Sequence, residues 1–167
     1  MSGNSVDPQA LREARVSAGL TQHELARLVG VAGGERISRW ELGTSVPRPE
    51  MLPRLAQVLG IKVGAMLCPL RGAPDFERLR LLAGLSTRTL AQRCHVSTPT
   101  LDRWEAGRFG RLPSRLILVG VAEVLGVSID VLERALARSK AEAQRAQQRS
   151  GHIVGEGDGG GADAATG

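Results

Sequence analysis

Apolar residues recur along this chain at three- and four-residue steps, in short runs that end at glycine, which predicts a series of short amphipathic helices. Leu11, Ala14, Arg15 and Ala18 share the spacing of a first helix. Asp7-Pro8 can open it, with Asp as N-cap and Pro in the first position, and Gly19 stops it. Thr21 to Glu24, Thr-Gln-His-Glu, has the form of a capping box before a second helix. Leu25, Ala26, Leu28 and Val29 give that helix its apolar face, and Gly30 ends it. A third helix is predicted from about Gly34 to Leu42, followed by a turn-rich loop from Thr44 to Pro49. A fourth runs from about Glu50 to Leu59, with Pro53 in its first turns, where proline is best tolerated. A short fifth covers roughly Val63 to Leu67.

The pattern then restarts after Pro69–Pro74 (PLRGAP), a linker too short for free movement of two halves. At an offset of 65 residues, LREARVSAGLTQHELARLVGV aligns with FERLRLLAGLSTRTLAQRCHV. The offset then drops to 64, so the first copy carries one extra residue between Val31 and Ile37. Gly60 and Gly126 each follow an Ala-x-Val-Leu helix end. Such duplication defines two units, expected at residues 9–68 and 75–138, with 69–74 between them. Ser128 can cap the last helix, which Ala, Glu, Gln and Arg favour as far as about Gln148. That extension, residues 139–149, has no apolar stripe and is expected to be an exposed helix. The glycine-rich residues 150–167 are expected to be a disordered tail. The fold class is therefore all-α: two tandem five-helix domains and a disordered C-terminal tail.

Two stretches stand out within the repeat. Ile37 to Gly43 reads ISRWELG and Leu101 to Gly107 reads LDRWEAG, and they hold both Trp of the chain. Ala91 falls where two helices joined by a tight turn cross closely, Leu101 fills the gap between them, and Trp104 packs behind. Ala26, Ile37 and Trp40 match them in the first copy. The turn residue is Gly30 in the first copy and His95 in the second, so His95 is expected to have positive φ, which His tolerates better than branched residues.

This series, Leu-Thr-Gln, Leu-Ala, Gly-Val and Ile-Ser-Arg-Trp-Glu-x-Gly, resembles the lambda-repressor-like (XRE family) helix-turn-helix domain, over roughly residues 10–67 and 75–136. The resemblance implies a structural ion pair in each copy, Arg15 with Glu41 and Arg80 with Glu105. It also implies double-stranded DNA as partner, with the start of the third helix in the major groove. In the second copy Ser97 would cap that helix, and Thr98, Pro99, Thr100 and Arg103 would face the bases. Asp102 would orient Arg103 or meet a cytosine. Thr87, Arg88, Arg108, Arg111 and the positive end of the second helix would lie by phosphates. In the first copy Gly33 and Gly34 fall where reading side chains would begin. Glu35 there is a stabiliser of the helix N-terminus or a cytosine reader. Arg36 and Arg39 remain base or phosphate contacts, with Thr21 and Gln22 on the backbone. A bacterial, cytoplasmic transcriptional regulator follows as the expectation, whether repressor or activator. An interaction regulator or antitoxin-like subunit on the same fold is the alternative.

Charge agrees with an acidic partner. Residues 1–70 carry 8 Arg or Lys against 6 Asp or Glu, and residues 71–150 carry 14 against 8. All but Lys62 and Lys140 are Arg, whose fork suits phosphate and guanine, although an arginine-biased genome would give the same count. Two Cys without His at ligand spacing cannot make a zinc site. Cys94 occupies the core position of Val29, and Cys68 carries no message. His23 is either exposed or within reach of a phosphate. No catalytic arrangement of Ser, His, Cys or paired carboxylates is present, so no cofactor, metal or enzymatic activity is expected. No run suits a membrane, and MSGNSVDPQA lacks signal-peptide character. A homodimer through the Ala-rich last helix is a further expectation.

Overall fold

The structure, a computed structural model, describes residues 6–70 and 72–153, the last three by their backbone. Among the described residues it holds nine α-helices and no strand. The first bundle comprises α1 (Pro8–Ser17), α2 (Gln22–Val29), α3 (Gly34–Glu41) and α4 (Leu52–Leu59). The second comprises α5 (Phe76–Leu82), α6 (Thr87–Arg93), α7 (Thr98–Glu105), α8 (Arg115–Leu125) and α9 (Ile129–Ile153).

Local chemistry sets the helix starts. The Asp7 carboxylate accepts from the Gln9 and Ala10 N–H groups at 2.9 and 3.2 Å. At α2 the capping box is complete: Glu24 N–H donates to the Thr21 hydroxyl at 3.2 Å, and Thr21 N–H donates to Glu24 Oε2 at 2.8 Å. Ser86 and Ser97 accept from the N–H groups of Thr89 and Thr100 at the starts of α6 and α7.

Three details differ from the sequence expectation. The start of the fourth helix is a 3-10 turn, Pro49–Met51. Pro53 has no N–H to return to the carbonyl of residue 49, so the α-helical bond cannot form there. The second copy has Val119 in place of Pro53, and α8 is α-helical from Arg115. The short fifth helix of the first copy is likewise a 3-10 turn, Val63–Met66. Finally, the extension at 139–149 is not exposed along its whole length. Ser139 is buried, and its hydroxyl accepts from Phe76 N–H at 3.3 Å. Gly107, at φ +64, lets the α9 backbone come so close that a Cβ there would strike the Ser139 carbonyl. Lys140 donates to the Gly110 carbonyl at 2.9 Å, and its ammonium lies 5.7 Å from the Phe109 ring centroid. Full exposure begins only at residue 144. The helix reaches Ile153, and the rest of the expected tail, 154–167, lies outside the described residues.

Each bundle has its own core. Leu11, Leu25, Ile37, Leu55 and Met66 are fully buried in the first, and Phe76, Leu90, Leu101, Leu132 and Leu136 in the second. A third, small cluster joins the bundles: Leu52 and Leu67 meet Leu81, with Val6 and Val63 beside them. Arg78 Nη1 donates across this joint to the Cys68 carbonyl at 2.9 Å, and the Pro53 ring sits against Gly84.

His95 has φ +53, the one non-glycine residue with positive φ among those described. The matching Gly30 has φ +76. Left-handed backbone crowds a Cβ against the carbonyl. His95→Gly should therefore raise the stability of the second bundle by about 0.5–1 kcal/mol, read as a higher urea midpoint at unchanged slope.

Candidate nucleic-acid interface

Each bundle crosses two short helices over a small residue and plugs the gap with an aliphatic one. In the first bundle Ala26 and Ile37 do this, and in the second Ala91 and Leu101; all four are buried. Trp40 and Trp104 back the unit, and Trp104 meets Phe76 edge-on, with ring centroids 6.1 Å apart. Burying these residues on one side of α3 and α7 leaves the other side to solvent.

On α7, Pro99, Asp102 and Arg103 are exposed, with Ser97 at the N-cap, while Thr98 and Thr100 are half-buried. Arg103 donates to the Pro99 carbonyl and to Thr100 Oγ1, each at 3.3 Å, so its guanidinium lies along its own helix. Asp102, one expected orienter of Arg103, makes none of these bonds. Arg88 on α6 and Arg108 and Arg111 after α7 are exposed, and Thr87 is half-buried.

The start of α6 holds something the sequence reading did not foresee. Glu50, from the first bundle, accepts from Ser86 N–H at 3.3 Å and from the Thr89 hydroxyl at 3.2 Å. Bonds from Ser86 first, then Thr89, outweigh desolvation and keep the Glu50 carboxyl below the ordinary carboxylate range. A carboxylate thus stands at the positive end of α6, where a phosphate was expected. The signal was present in the repeat. Thr89 replaces Glu24, so Ser86 lacks the acid that closes a capping box within its own helix.

The first bundle presents a different surface. The α3 N-cap is Gly33, at φ +69, with no side-chain cap. The Glu35 carboxylate folds against Gly33, and Gly34 is buried beneath the His23 ring. Arg36 and Arg39 are exposed and, with Arg48, Trp40 and Met51, line a cleft of about 520 Å³. Arg48 was not singled out from the sequence, because the loop that carries it has no regular period. Thr21 is exposed, but Gln22 turns inward: its amide donates to Glu41 Oε2 at 2.8 Å.

The two ion pairs fix α1 to α3 and α5 to α7. Arg15 Nε and Nη2 donate to the two Glu41 oxygens at 2.6 and 3.1 Å, and Nη1 to the Leu20 carbonyl at 2.6 Å. Arg80 repeats the fork on Glu105 and donates to the Leu85 carbonyl at 2.8 Å. Their acids are tuned oppositely. Burial pushes Glu41 up, but Arg15 and Gln22 together hold it below the ordinary range. For Glu105 burial outweighs Arg80, and the nearby Glu77 and Asp102 add to it, so the carboxyl lies above that range.

Among the described residues no cluster of His, Cys, Asp and Glu is placed to hold a metal, and no helix is long and apolar enough to cross a membrane. A helix-turn-helix family model matches the chain twice, at residues 11–65 and 76–132. No curated protein and no solved structure matches it. Two matches that span most of the chain, each centred on a paired-helix unit with its plug and ion pair, place it: the chain belongs to the XRE-type helix-turn-helix family of DNA-binding regulators, with two copies of the domain in tandem.

Proposed function

We propose that the chain is a transcriptional regulator that reads double-stranded DNA sequence-specifically, with the second bundle as the principal reader. The observation that carries this is the outer face of α7. Its cap, Ser97, and its exposed residues Pro99 and Arg103 sit on a helix whose inner face is locked by Leu101 and Trp104. In the groove Arg103 exchanges its weak intrahelical bonds for a fork onto guanine O6 and N7. Thr98, Pro99 and Thr100 offer apolar contact to thymine methyls. Arg88, Arg108 and Arg111 hold phosphates and set register.

The first bundle reads less. Gly33 and Gly34 bring no side chain to a base edge, so Arg36, Arg39 and Thr21 act mainly on phosphates. Joined in one chain, the two bundles engage neighbouring sites at high local concentration, so the site is asymmetric. The interaction-subunit reading draws on the same bare start of α3. Salt separates the two, since binding through several phosphates weakens steeply as salt rises. Absence of DNA affinity at low salt would leave the interaction reading standing.

Selection of bound sequences from random DNA, with the full chain, tests the assignment of roles. Arg103→Ala should cost about 1–3 kcal/mol and relax preference at a single base pair, whereas Arg108→Ala should weaken all sequences alike and lower the salt slope by about 1. Identical behaviour of the two variants would overturn the assignment.

A further inference from the structure

We propose that this chain associates head to tail with further copies of itself, the start of α8 in one copy docking on the α1–α2 turn of the next. The joint between the two bundles is the template. It is built from unlike surfaces: Glu50, Leu52 and Pro53 at the start of α4 on one side, and Leu81, Gly84, Ser86 and Thr89 at the α5–α6 turn on the other. Such a heterologous contact uses a different face on each partner and leaves one unused face at each end.

Both unused faces exist here and carry exposed residues, although Leu118, the match of Leu52, is buried in its own bundle. Aligned on Pro47 with Pro113 and Gly60 with Gly126, the second bundle has Leu116 where the first has Glu50. Leu116 is 84% exposed, and Leu112 and Ile117 beside it are exposed as well. At the other end Val16 matches Leu81 and is 60% exposed. Gly19 matches Gly84, and a Cβ on it would meet nothing within 4 Å, whereas one on Gly84 would strike the Pro53 ring.

The chemistry of the free ends is also matched. Inside the chain, Ser86 needs an external carboxylate, and Glu50 supplies it. On the free face the equivalent Thr21 N–H already bonds its own Glu24. A mate for that face needs no acid, and the second bundle has an apolar residue, Leu116, at that position. Leu67 has Glu133 in its place, so the joint between copies is the weaker of the two. Within the chain the joint is further favoured by the linker. Because each pair still carries one free face at either end, association continues beyond a pair.

Sedimentation of the full chain over rising concentration tests this. The weight-average mass of the wild type should climb past that of a dimer. Leu116→Glu removes one face and Val16→Glu the other, so each variant alone should stay monomeric. An equimolar mixture should form a dimer and nothing larger, because each variant keeps the face its partner lacks. Both positions are exposed, so melting should match the wild type; Leu112→Glu replaces Leu116→Glu should the latter melt early. A wild type of constant monomer mass would overturn the proposal. So would variants that associate singly as the wild type does, which would place the contact elsewhere, or a mixture that stays monomeric.

Discussion

Arg80→Ala should destabilise the second bundle by about 3–5 kcal/mol, the usual effect of removing one member of a buried pair. The Arg80 side chain is only 7% exposed and serves three acceptors: both Glu105 oxygens and the Leu85 carbonyl. Its loss strands a carboxylate that burial already holds above the ordinary range. The pH dependence has a definite sign. Once Glu105 is raised in the folded state, the folded form binds its proton the more tightly. The deficit is then absent below the unfolded carboxyl value and grows as pH rises through the folded one. Urea unfolding of Arg80→Ala should therefore move towards wild type as pH is lowered. Replacing both partners, Arg80→Met with Glu105→Leu, should restore most of the loss, because no charge remains buried. A single variant as stable as wild type at pH 7 would show that the pair holds nothing together.

Trp104→Ala should cost a similar amount, about 3–5 kcal/mol. The indole is 7% exposed and packs edge-on against Phe76, which is fully buried. Phe76 N–H in turn bonds Ser139 on α9. The resulting cavity lies between α5, α7 and α9, so collapse would have to move a helix rather than a side chain. Thermal unfolding should show the second bundle melting early while the first is little changed, and DNA affinity should fall with it. Coincident melting of both bundles in this variant would mean the joint at Leu52, Leu67 and Leu81 makes them one cooperative unit.

Helices and their glycine stops were legible in the sequence because each is a local period, whereas the partners of the ion pairs came from the family resemblance, with both copies keeping both residues. Positive φ at His95 followed from its place opposite Gly30. What escaped was set by contact between distant segments. The Gln22 amide bonds Glu41, a residue on another helix, and no local pattern announces that bond. Residues 139–143 have no apolar stripe, yet Gly107 across the bundle makes room for that very stretch. The 3-10 turn at Pro49–Met51 was implicit in Pro53, whose missing N–H bears on the residue four before it. For the candidate interface, composition identified the exposed arginines, but not that Glu50 stands at the end of α6.

That carboxylate has a bearing on how the chain is made. The first half emerges from the ribosome with every cap of its second helix encoded within it, and can fold as soon as it is released. The second half is born with the Ser86 cap of α6 but without an acid to accept from the Ser86 N–H. It gains the Glu50 bonds to Ser86 and Thr89 only by settling on the first half, whose Leu52 and Leu67 are covered by Leu81 in return, so each half completes the other.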